Sequence, residues 1–213
     1  MIYLYAIAEE LDGLPDVPGV GGMPLARRSV EGLDLVVSEH DGAELEASEE
    51  AVLAHARVVE ALLERTAALL PARFGRGFRD EDALREAIAG RAAQLRQALA
   101  QVRGCVEVGV RVVAPEPTPP PVAESGRAYM EARLAHTEEA RKLHEPLTAL
   151  ARSATRTVGA TPRLLLSGAY LVEPAALEAF RRRVSELEAA HPELTFVTTG
   201  PWPPYSFAPG GEA

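Results

Sequence analysis

A chain of 213 residues, 47% hydrophobic and 25% charged, has the material for a packed core and an ordinary globular surface, and its length suits two small domains. Its formal net charge of -9 repels phosphate backbones and anionic lipid surfaces, which argues against nucleic-acid and membrane-surface partners. With aromatic residues at only 5%, the cores must be built mostly from Leu, Val and Ala.

Ile2–Ala8 mixes β-branched, aromatic and aliphatic residues and reads as a buried strand. It lacks a basic leader and soon meets Glu9, so no signal peptide is expected, and no run reaches the length of a membrane span. Asp12–Pro24, rich in Gly and Pro, is a loop. Leu25–Val30 and Leu33–Glu39 form a predicted hairpin around Glu31-Gly32, where Gly32 supplies the positive φ that a tight turn needs.

Ser48 is a good N-cap for a helix whose apolar stripe is Val52, Ala56, Val59 and Leu63, with Leu62 alongside. Leu69–Gly75 is extended. Asp80 caps a second helix with Leu84, Ile88, Leu95, Leu99 and Val102 on one face, stopped by Gly104. Val106, Val108, Val110 and Val112 then alternate with other residues along a strand. Cys105, the lone cysteine, allows no intramolecular disulfide and reads as a small core hydrophobe in a reducing compartment, so a cytoplasmic location is expected.

Pro115, Pro117, Pro119, Pro120 and Pro121 favour an extended spacer, the best domain boundary in the sequence. A long helix follows over Arg127–Ala151, with Leu143, Leu147 and Leu150 on one face and a kink or an end predicted at Pro146. Ser153–Val158 and Arg163–Val172 are strands about a turn at Gly159–Pro162. Pro174 opens a helix with Leu177, Phe180, Val184 and Leu187 at helical spacing. Leu194–Thr199 is a last strand, and the end of the chain from Ala208 is expected to be disordered. The predicted class is α+β in two domains, each a small mixed or antiparallel sheet with helices on one face: 1–113, a Pro-rich linker at 114–125, 126–199, and a tail at 200–213. Strand and helix orders of this kind fit split β-α-β, ferredoxin-like sheets.

No residue pattern announces catalysis. The five histidines form no HExxH, and His136 and His144 lie about 12 Å apart along one helix, too far to share a metal. Gly19–Gly22 lacks the Gly-Lys-Ser/Thr ending of a phosphate loop, and no Gly-x-Ser-x-Gly elbow is present. Neither a cofactor nor a metal is expected, and no small-molecule substrate. The basic run Arg181-Arg182-Arg183 reads as a solvated helix face or a partner contact. Two segments differ from ordinary loops: Leu70–Gly75, with Arg73 and Phe74, and Gly200–Phe207, with Trp202, Tyr205 and Phe207 stiffened by three prolines. Arg73, Phe74, Arg181, Arg182, Trp202, Tyr205 and Phe207 are therefore the candidate partner-binding residues, with Trp202 and Tyr205 expected to pack against folded structure.

At these segments the chain resembles the gas vesicle protein F/L family (GvpF/GvpL). The resemblance is carried by Tyr3-Leu4-Tyr5-Ala6-Ile7, Leu70-Pro71-Ala72-Arg73-Phe74-Gly75 and Val102–Val110. Gly126-Arg127-Ala128-Tyr129-Met130, Gly168–Val172 and Gly200–Phe207 continue it in the family's order. It implies two α+β domains, the first ferredoxin-like, and an accessory role in gas vesicle assembly. The implied partners are the hydrophobic shell protein and other accessory proteins, and the family carries over no catalytic residues. The reading from residues alone leaves a second possibility, a small-molecule-binding regulatory module.

Overall fold

The computed structural model describes residues 1–42, 45–115, 126–157 and 163–209. The chain divides into two compact units: Met1–Cys105 with the segment from Trp202 onward, and Val106–Pro201.

The first unit runs β1 (Ile2–Glu9), β2 (Ala26–Val30), β3 (Leu33–Glu39), α1 (Glu49–Leu63), β4 (Ala68–Pro71), β5 (Gly77–Phe78), α2 (Glu81–Ala89) and α3 (Ala92–Val102). Its sheet has the order β2-β3-β1-β4, with β5 also on β1, and every pairing is antiparallel. Glu31 and Gly32 both take positive φ, 52° and 75°, as the two-residue β2–β3 hairpin requires. The crossover from β1 to β2 is a loop carrying a 3₁₀ turn at Val20–Gly22 where a β-α-β-β-α-β order has a helix, and β5, α2 and α3 follow β4 beyond that order.

Two helix predictions shift. Ser48 caps α1 by accepting from the Ala51 amide, but the buried face is Ala51, His55, Val58, Val59 and Leu62, while Val52 and Leu53 are 43% and 47% exposed. The core-facing stripe includes a histidine, which a count of apolar residues passes over. The single helix expected after Asp80 is two, interrupted at Gly90 and Arg91, where glycine's poor helix propensity weakens the run and Arg91 leaves helical geometry (φ -123°, ψ 8°). Leu84, Ile88, Leu95, Leu99 and Val102 are nevertheless all buried.

The second unit runs β6 (Val106–Val113), α4 (Gly126–Thr148), β7 (Ser153–Thr157), β8 (Leu164–Val172), α5 (Leu177–Ala190) and β9 (Thr195–Trp202), with sheet order β7-β8-β6-β9. Its core sets Val108, Val110 and Val112 of β6 against Leu143 and Leu147 of α4, Tyr170 of β8, and Phe180 and Val184 of α5. Pro146 falls in the last turn of α4, which stops at Thr148, so the proline acts at a helix end.

The strand Val106–Val113, expected in the first domain, pairs antiparallel with β8 along its whole length, from Val106 opposite Val172 to Val113 opposite Leu164. Alternation tells which face of a strand is buried, not which sheet it joins. Gly104, at φ 68°, redirects the chain directly after α3, and the boundary falls there rather than at the prolines. Nor is the segment from Trp202 separate, because it belongs to the first unit. Most of the Pro-rich stretch, the expected turn at 159–162 and residues 210–213 lie outside the described residues.

Candidate partner-binding groove

The alternation of β1 is interrupted by a β-bulge between Leu4 and Ala6, and the parity of the strand changes there. Tyr3, Tyr5, Ala6 and Ala8 join the cluster that packs under α1, whereas Leu4 and Ile7 line a groove that Leu70, Phe74, Ile88 and Leu95 complete. The groove has a volume of about 270 Å³.

Its wall, the segment Leu70–Arg76, is held from behind by buried polar groups. Nε2 of His55 lies 2.9 Å from the Ala72 carbonyl, so that nitrogen carries the proton and donates it. Nδ1 then accepts from the Tyr3 hydroxyl at 2.8 Å, and the Tyr3 oxygen accepts from the Gly75 amide at 3.2 Å. The Ala72–His55–Tyr3–Gly75 relay is fully paired when His55 is neutral, and burial pushes the His55 pKa below the ordinary 6.5. The same burial raises Tyr3 to about 12. Phe74 stands edge-on to both rings, with centroids 6.1 Å from Tyr3 and 5.9 Å from His55. A second relay runs beside it: the Val20 amide donates to the Tyr5 hydroxyl at 2.7 Å, and that oxygen lies 2.9 Å from Ser38 Oγ.

The segment from Trp202 reaches the groove through Tyr205. Pro203 and Pro204 are buried, and Tyr205 packs against the aromatic cluster and lines the groove with Ala208 and Pro209. Burial first, then Glu60 and Tyr3, push its hydroxyl up to about 12, so it stays neutral. Among the described residues, those that line the groove with a charge are Arg73, Arg76 and Arg91, with no Asp or Glu. The Arg76 guanidinium lies 5.1 Å from the centroid of the Phe78 ring, and Arg91 donates to the Gln94 amide oxygen at 3.2 Å.

Of the candidate residues, the structure therefore brings Arg73, Phe74 and Tyr205 together. Phe207 is half-buried in the same 3₁₀ turn as Tyr205 but does not line the groove. Trp202 corrects the expectation of packing: it ends β9 with 46% of its surface exposed, because the buried contacts of this segment are made by the two prolines and Tyr205. Arg181 and Arg182 are exposed on α5 of the second unit and belong to a different surface. The sequence reading missed Arg76, Arg91 and the aliphatic floor. Arg76, three residues after Arg73 and beside Phe74-Gly75, was the one signal that could have found them.

Among the described residues no group of three or more His, Cys, Asp or Glu is placed to hold a metal ion, and no helix is long and apolar enough to cross a membrane. The class so defined is a two-unit α+β protein whose first unit carries an apolar groove edged with arginines. The family described as gas vesicle synthesis protein GvpL/GvpF matches residues 1–132 and 122–209, and the chain belongs to that family. It is 34% identical over 210 residues to gas vesicle protein F2 of Halobacterium salinarum, covering 97% of this chain and 91% of that protein. Gas vesicle protein F1 of the same organism is 31% identical over 209 residues, covering 97% and 92%. The crystal structure of GvpF from Anabaena shares the fold, with a TM-score of 0.80 at 20% identity over 97% of this chain and 95% of that one.

Proposed function

We propose that this chain serves gas vesicle assembly as an interaction factor, binding the hydrophobic shell protein and other accessory proteins, chaperone-like or as a minor structural component, in the cytoplasm and at the vesicle. A wall subunit exposes apolar surface before it is assembled, and such surface aggregates unless covered. The observation that carries the reading is the groove of the first unit, an apolar floor of Leu4, Ile7, Leu70, Ile88 and Leu95 on a rigidly held wall. Binding there is reversible work and asks for no catalytic group. Light scattering of the shell protein diluted from denaturant, with and without an equimolar amount of the full chain, tests it. Suppressed aggregation is expected; an unchanged trace overturns the chaperone role.

A further inference from the structure

We infer that the segment this groove takes carries carboxylates beside its apolar residues, an acidic apolar peptide rather than a purely hydrophobic one. The inference rests on the proposed function and gives its partner a chemistry. The argument is one of charge complementarity. The chain has 31 acidic and 22 basic side chains, yet among the described residues the charged ones lining the groove are three arginines and no carboxylate. The local sign is the reverse of the molecule's. Arg76 rests on a ring and Arg91 on a neutral amide, and neither contact cancels a positive charge. Guanidinium forks match carboxylates in a paired geometry that a neutral apolar partner would leave unused. A volume of about 270 Å³ takes a few side chains of a segment, not a folded surface. The wall is fixed before binding by the Ala72 and Gly75 contacts, so the arginines are presented on a preformed frame.

The test uses the full chain against an array of overlapping 15-residue peptides tiled from the shell protein and the accessory proteins encoded beside it. Alongside it runs capture of the intact shell protein. Binding is expected to concentrate on peptides with Asp or Glu among aliphatic or aromatic residues. It should weaken about tenfold in the chain carrying Arg73→Gln, Arg76→Gln and Arg91→Gln, recover only in part with lysine at the three positions, which restores the charge but not the fork, and be unmoved by Arg181→Gln with Arg182→Gln. Circular dichroism of each variant shows that the fold persists. Binding to neutral or basic apolar peptides, no peptide binding, or binding indifferent to the three arginines overturns the inference. If the intact shell protein is captured equally by wild type and the triple variant, the charge inference falls and the assembly role stands. If acidic apolar peptides bind through the arginines while the intact shell protein does not, the groove chemistry stands and the proposed partner is wrong.

Discussion

The hydroxyl of Tyr3 donates to Nδ1 of His55 while accepting from the Gly75 amide, so one side chain of the first strand fixes both the tautomer of a buried histidine and the end of the groove wall. Replacing Tyr3 with Phe keeps the ring and removes the hydroxyl, leaving the His55 nitrogen and the Gly75 amide without partners. The expected cost is about 1–3 kcal/mol, read by urea denaturation.

The same arrangement sets a pH dependence. Burial holds His55 below its ordinary 6.5, as it does His40 and His144, with the N-terminal amine adding to the effect on His40 and Arg156 to that on His144. Below 6.5 the unfolded chain therefore binds more protons than the folded one. The stability these neutral rings contribute is complete above that pH and is lost as pH falls through the depressed folded values. Urea midpoints measured from pH 7.5 down to 5 should fall, and His55→Gln should flatten part of the slope. A midpoint that holds steady over this range contradicts the assignment.

Trp202 and Phe180 offer a contrast in burial. Phe180 is fully buried, with its ring centroid 5.2 Å from that of Tyr170, and its replacement by Ala should cost about 3–5 kcal/mol. Trp202, nearly half exposed, should cost about 1 kcal/mol or less. Its emission, the only indole signal in the chain, should lie toward the water-exposed end and be readily quenched by iodide.

Arg156 of β7 has a buried Nη1 with no hydrogen-bond partner among the described residues, and its charge acts on His144 and Tyr170. A methionine at this position keeps an unbranched, shorter apolar stem and removes the unsatisfied group. Arg156→Met should therefore raise stability by about 1 kcal/mol. It should also move the His144 titration, followed by NMR, upward toward its ordinary value.

Much of this fold was legible in the sequence because it rests on local chemistry. The Glu31-Gly32 turn, the Ser48 and Asp80 caps and the valine alternation of β6 each announce themselves within a few residues. What was not legible depends on partners far along the chain. Nothing near Val106 shows that it will pair with Val172, and nothing near Val52 shows that α1 is turned so that His55 faces the core. Half the groove was visible as Arg73-Phe74-Gly75. The other half, Leu4 and Ile7, depends on a bulge that ordinary strand alternation hides, and on α3 arriving beside β4 and α2 beside β5. Trp202 was misread because proline-rich aromatic stretches suggest docking of the largest ring, while here the prolines themselves and the smaller tyrosine dock.

The first unit is assembled from both ends of the described chain, Met1–Cys105 and the residues from Trp202, with the whole second unit made in between. On a ribosome adding about 5–20 residues each second, Tyr205 is made roughly 5–20 s after Cys105. Until then the sheet and helices of the first unit can form, but the groove lacks one of its sides. A nascent chain thus lacks the Tyr205 side of the groove until the whole second unit has been synthesised, however early the sheet that carries the rest of it has formed.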